Sequence, residues 1–136
     1  MKRRAFVLLN RAANAVVVRL GFRRFRGGDL MHLTTVGRKS GKRRTTPVLY
    51  LVEGDGWLVV ASNGGADWEP GWWLNLQAGS PAEVTLGKRT VAVTGEEVTG
   101  PEREELWRAL CEKVFDYDSY QSKVQRRLAV VRLTPV

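Results

Sequence analysis

Apolar positions recur at helical spacing at the start of the chain. Phe6, Leu9, Ala13, Val16, Val17 and Leu20 fall on one stripe. They predict a helix over residues 2–20, with Arg3, Arg4, Arg11 and Arg19 as cationic heads. Residues 21–29, with Gly27-Gly28-Asp29, read as a loop. From residue 30 the pattern changes to short apolar runs. Those at 30–36, 44–53 and 57–62 predict three strands, the last two joined by the turn Gly54-Asp55-Gly56. Asn63-Gly64-Gly65-Ala66 is a loop, and a short helix follows over 72–78, stopped by Gly79 and Pro81. Runs at 82–86 and 89–98 form a hairpin across Gly87-Lys88. Pro101 opens a helix with Leu106, Leu110 and Val114 as its buried stripe. Glu102, Glu104 and Glu105 sit in its first turn, where the dipole favours them. Residues 116–127 read as a further polar helical segment and 128–133 as a last strand.

The resulting order is α-β-β-β-α-β-β-α-β, with about six strands and three or four helices. Hairpin links without βαβ crossovers argue for an α+β fold whose sheet is mostly antiparallel, or a small barrel. A chain of 136 residues is the size of one domain, and 43% hydrophobic residues with five Trp can fill a core without disulfides. The apolar run 5–9 is shorter than the roughly 7 residues of a signal-peptide core. No run approaches the about 20 residues that cross a bilayer. The first helix can pack on the core or lie on an anionic membrane, and core packing is the commoner fate. One cysteine fits a cytoplasmic setting.

A single histidine, His32, and a single cysteine, Cys111, cannot supply the four ligands of a structural zinc site, and no metal is expected. His32 reads as a half-exposed strand residue and Cys111 as core. The net charge of +8 draws anions, whether nucleic acid, acidic lipid or a polyanionic small molecule. That charge concentrates between two strands, where Gly37-Arg38-Lys39-Ser40-Gly41-Lys42-Arg43-Arg44 places five cations around a turn. Glycine-freed amides, a serine hydroxyl and the cations suit a phosphate. A nucleotide P-loop is excluded. The glycines are one residue too close, Arg43 stands where Ser or Thr would hold magnesium, and the turn joins strands instead of opening a helix. Pro47 gives up a ladder hydrogen bond just beyond the turn, a feature of edges and bulges. Nucleic acid is the weaker candidate, because the aromatics Tyr50, Trp57, Trp68, Trp72 and Trp73 are not interleaved with the basic run.

Five blocks in order carry a resemblance: Leu33-Thr-Thr-Val-Gly-Arg-Lys-Ser-Gly41, Thr45-Thr-Pro47, Val59-Val-Ala-Ser-Asn-Gly-Gly65, Pro70-Gly-Trp-Trp-Leu-Asn-Leu76 and Tyr117-Asp-Ser-Tyr-Gln121. Together they resemble the deazaflavin-dependent nitroreductase and quinone reductase family. The match runs from about residue 30, with residues 1–29 as a separate N-terminal helix and loop. The resemblance implies a split β-barrel of the FMN-binding type over 30–136. It also implies coenzyme F420 as cofactor and hydride transfer from its reduced form to a quinone, nitro or other activated acceptor. F420 is a polyanion, with a phosphodiester and a glutamate tail, and so agrees with the basic turn.

By the same resemblance, Arg38, Lys39 and Ser40 would bind the phosphate, and Arg23, Arg24, Lys42 and Arg43 would attract the tail. The segment Arg44, Thr45, Thr46, Pro47, Val48 and Leu49 would run beside the cofactor. Val60, Ala61, Ser62 and Asn63 would line its ring, and Gly71, Trp72, Trp73, Leu74 and Asn75 would close the other side. Of the two adjacent Trp, one is expected to face the site and one the core. Tyr117 and Tyr120 are the candidate catalytic residues on the acceptor side, able to hydrogen-bond a quinone or nitro oxygen. The chain departs from the family's usual pattern at Asn63, Glu69 and Val114-Phe115, which bears on the acceptor. FMN is a lesser alternative cofactor. A non-enzymatic cationic module for nucleic acid or anionic membrane is the alternative from another class.

Overall fold

The computed structural model describes residues 28–136 together with Ala5, Val7, Leu9, Arg11, Ala13, Asn14, Arg24 and Phe25. The six described residues among 5–14 are helical. The remainder of the predicted first helix, its membrane-surface reading and Arg23 lie outside the described residues.

Eight strands are described: β1 (Arg24–Phe25), β2 (Gly28–Val36), β3 (Arg43–Leu49), β4 (Leu51–Glu53), β5 (Gly56–Val60), β6 (Ala82–Leu86), β7 (Arg89–Val98) and β8 (Val130–Pro135). Three helices complete this part of the chain: α1 (Gly71–Gln77), α2 (Gly100–Lys113) and α3 (Tyr117–Gln121). All strand pairs are antiparallel, in the order β1-β2-β6-β7-β8-β5-β4, with β3 also on β2. This is the curled sheet of a split barrel. The 6–7 hairpin has the predicted bounds.

The predicted single strand 44–53 is two strands. β3 pairs with β2, whereas β4 pairs with β5 at the far end of the sheet order. The chain changes partner at Tyr50, between the two. A run of apolar residues cannot reveal such an exchange, because both halves keep strand conformation. Among the described strands β3 pairs only with β2, which leaves its other edge without a strand partner there, the setting in which Pro47 is tolerated. The predicted helix over 116–127 is also shorter, ending as α3 at Gln121. Gln121 then folds the chain back, donating from Nε2 to Arg126 O at 2.8 Å and accepting Leu128 N–H at Oε1 at 2.9 Å.

Period-two alternation in the central strands builds two cores. In β5, Trp57 and Val59 join the cluster inside the curl with Met31, Leu33, Val84 and Trp73. Leu58 and Val60 join a second cluster with Leu110, Tyr117 and Leu128, under α2 and α3. β8 repeats the split, with Val131 and Leu133 in the first and Val130 in the second. Burial on both faces explains why β5 is continuously apolar. His32 is half-buried in β2, and Cys111 packs against the second core, where burial pushes its thiol up.

Candidate cofactor and substrate site

A cavity of about 890 Å³ opens beside β3, between the basic turn, the end of β5, the start of α1 and the α3 tyrosines. Its size is in the range of cofactor pockets, about 300–1,000 Å³.

The basic turn is shaped by its own backbone. Gly37 N–H donates to Lys42 O and Gly41 N–H to Gly37 O, both at 2.8 Å. Gly41 has φ +69°, and a Cβ on Gly37 would meet Ser40 Oγ at 2.5 Å. Gly41 therefore needs glycine for its backbone, whereas a methyl group at Gly37 would displace the Ser40 hydroxyl. Buried Asn75 of α1 holds the turn from below. Its Oδ1 accepts from both the backbone N–H and Nη1 of Arg38, each at 3.1 Å. Its Nδ2 donates to Thr35 Oγ1 at 3.0 Å. Arg38, Lys39, Ser40, Arg43 and Arg44 line the cavity, and Lys42 does not. Arg43 is ion-paired with Glu83. Arg38, Lys39 and Arg44 have no ion-pair partner among the described residues.

Thr45, Thr46, Pro47, Val48 and Leu49 form the β3 wall. Val60, Ser62 and Asn63 line the facing wall with Gly64. Ala61 does not reach the cavity. It is fully buried, and its N–H donates to Ala129 O at 2.9 Å. Asn63 has φ +48°, and its Nδ2 donates to Trp68 O at 3.0 Å. Residues 63–65, read as a loop, form a 3-10 turn.

At α1, Gly71, Trp72, Leu74 and Asn75 line the cavity. Trp73 does not. It is 5% exposed, inside the first core, with its ring edge-on to Trp72 at 6.4 Å.

Tyr117 and Tyr120 close the opposite end with Phe115. Phe115 lies 5.5 Å from Tyr117 and 4.9 Å from Tyr120, and Trp107 lies 6.1 Å from Tyr117. Burial, then nearby Cys111 and Tyr120, pushes the Tyr117 phenol well above its ordinary range. It stays protonated and can donate a hydrogen bond at any physiological pH.

Several lining residues were not among those expected at the site. Thr35, Trp68, Glu69 and Pro70 line the cavity, as do Val7, Arg11, Ala13 and Asn14 from the N-terminal segment. Arg126 reaches the loop after β5 from more than fifty residues away in sequence.

Fold and cavity together define a split-barrel protein with a cofactor-sized site. The model of the F420H(2)-dependent quinone reductase family matches residues 2–135. An F420H(2)-dependent quinone reductase of Mycobacterium tuberculosis is 38% identical over 105 residues, which is 75% of this chain and 70% of that protein. A solved F420-H2 dependent reductase superposes with a TM-score of 0.69 at 33% identity, covering 77% of this chain and 93% of its own. The heme storage protein HutZ from Vibrio cholerae has a TM-score of 0.60 at 13% identity, covering 79% of this chain and 81% of its own, a likeness of fold alone. The chain belongs to the F420H(2)-dependent quinone reductase family. It is a reductase of that class, with reduced coenzyme F420 as cofactor.

Proposed function

We propose that this protein transfers a hydride from reduced F420 to a quinone or similarly activated acceptor. The observation that carries the reading is one cavity with cations at one end and aromatic rings at the other. Arg38, Lys39 and Arg44, with no ion-pair partner among the described residues, suit a phosphate and a carboxylate-rich tail. Small or apolar walls from Pro47, Val48, Val60, Ser62 and Gly64 suit a flat ring system between them.

Reduced F420, when bound, supplies the hydride. The chain's own residues bind, orient and exclude water. Asn75 fixes Arg38, so the anion end is built before any ligand arrives. Tyr117 and Tyr120 would donate to the acceptor oxygen, where negative charge develops, and stack against its ring. Val114 and Phe115, which stand where the family often has a further tyrosine, leave one donor fewer. Quinones are accordingly proposed ahead of nitro compounds.

Residues 30–136 are proposed as the cofactor domain, with residues 1–29 contributing one wall through Val7, Arg11, Ala13 and Asn14. A cytoplasmic location belongs to the same reading, supported by the single cysteine. No helix among the described residues is long and apolar enough to cross a membrane.

The test is equilibrium binding of F420, FMN and a random oligonucleotide at two salt concentrations, followed by acceptor profiling. Saturable F420 binding with quinone turnover is expected; absence of F420 binding removes the proposal. Lys39→Ala should weaken F420 at least about tenfold, the worth of one charge-assisted contact, with folding intact.

A further inference from the structure

Arg126 touches the cavity nowhere, yet it holds the loop that forms one wall. Its side chain is 13% exposed. Nε donates to Ala66 O at 3.0 Å, Nη1 to Ala61 O at 3.1 Å and Nη2 to Ser62 O at 3.0 Å. Nη1 also meets Glu69 Oε1 at 3.1 Å. One planar guanidinium therefore fastens both ends of the turn that presents Ser62, Asn63 and Gly64 to the cavity. A lysine, with one ammonium, cannot span those acceptors.

The turn needs fastening. Asn63 is held in the left-handed region at φ +48° and Gly64 at φ +63°. Ser62 is right-handed at φ −80° and ψ −29°. A right-handed residue followed by a left-handed one turns successive N–H groups toward one side, forming a small receptor for a negative oxygen. The turn's own bonds, Gly65 N–H to Ser62 O and Ala66 N–H to Asn63 O, do not use the amides of Ser62, Asn63 or Gly64.

The other side of Arg126 belongs to the tyrosine helix. Its carbonyl accepts Gln121 Nε2, and no glycine or proline interrupts α3 between Gln121 and Tyr117. Tyr120 rests on the same turn, because a Cβ on Gly65 would lie 3.2 Å from its Cδ1.

We propose that Arg126 is a positioning residue that sets the Ser62–Gly64 wall and the Tyr117–Tyr120 wall at a fixed separation. It acts through the backbone of one and Gln121 of the other. The proposal rests on the functional reading above, with the cofactor at one wall and the acceptor at the other. It explains a partly buried ion pair, Arg126 with Glu69, beside a cavity already rich in cations. The carboxylate keeps the guanidinium on the loop carbonyls and off an anionic ligand.

The experiment compares wild type, Arg126→Lys, Arg126→Gln and Arg126→Ala in the full chain by hydrogen exchange, F420 titration and acceptor kinetics. In the variants, the hydrogen-bonded amides of this segment, those of Ala61, Gly65 and Ala66, should exchange about tenfold faster, while β2, β6 and β7 keep their protection. F420 affinity should fall about tenfold and the acceptor KM should rise, from the loss of several charge-assisted bonds. Methylguanidinium added to Arg126→Ala should restore both. Unchanged exchange at 61–66 overturns the hold. Faster exchange with unchanged affinity and KM overturns the coupling and leaves Arg126 merely structural. Should Arg126→Gln fail to fold, Arg126→Lys is read by the same criteria. If wild type does not bind F420, the functional reading falls, while exchange at 61–66 still decides whether Arg126 holds the turn.

Discussion

Asn75 is the side chain on which the anion end of the cavity depends. It is 4% exposed and makes three hydrogen bonds, two from Arg38 and one to Thr35. Asn75→Ala removes all three. The exposed Arg38 can turn to water, so its side of the loss is modest. Thr35 is 1% exposed, and its hydroxyl would be stranded. A stranded buried group costs about 1–3 kcal/mol, and the lost bonds to Arg38 add about 1 kcal/mol. The expected loss of stability is therefore about 2–4 kcal/mol, which shifts the urea midpoint by about 1–2 M. Asn75→Asp behaves differently. Its carboxylate keeps both acceptors for Arg38 and can accept from the Thr35 hydroxyl, so the fold should be nearly as stable. However, the new negative charge neutralises Arg38 next to the anion end. F420 affinity should then fall in both variants, but stability only in Asn75→Ala. Urea melts and F420 titrations on the two proteins decide it. Wild-type F420 affinity in Asn75→Asp would refute the role of Arg38 as an anion ligand, and wild-type stability in Asn75→Ala would refute the burial argument.

Three further outcomes are expected. Gly65→Ala meets both a φ of +84° and the Tyr120 ring. It should cost about 1 kcal/mol and raise the acceptor KM more than the F420 dissociation constant. Tyr117 titrates above its ordinary value of about 10 because the folded protein buries the neutral phenol. The unfolded chain loses that proton first on raising the pH, so stability falls above about pH 10, and Tyr117→Phe should flatten the decline in alkaline urea melts. Glu53 is held below the usual carboxylate range by its hydrogen bonds from Arg132, against a smaller upward push from burial. Its contribution is present above the ordinary carboxylate pKa and is lost as pH falls through the lowered one. Glu53→Gln should therefore unfold with a shallower acid dependence than wild type.

Much of the site was legible because it is local. The Gly37–Gly41 turn, the Pro47 edge strand and the break in regular structure at Asn63-Gly64-Gly65 each announce themselves by residue type within a few positions. Arg44 to Leu49 were expected beside a ligand and all six line the cavity. Ala61 and Trp73 were expected there too and are core instead, because alternation along β5 and α1 turns each away from the neighbour that faces the cavity. Arg43 looked like one more free cation until the sheet brought Glu83 beside it. Arg126 looked like a helical surface residue, because its partners lie 57–65 positions earlier in the chain and no spacing rule reaches that far.

The sequence by itself determined most of the elements and the cationic, glycine-bounded character of one turn. These follow from backbone sterics and periodicity, which act over a few residues. The tertiary structure decided that Arg43 meets Glu83, which of two adjacent tryptophans faces the cavity, and where the chain exchanges partners at Tyr50. It also placed Asn75 under the basic turn and Arg126 behind the loop. Each of those outcomes depends on closing the sheet, and closure sets side chains together according to strand partners, not according to distance along the chain.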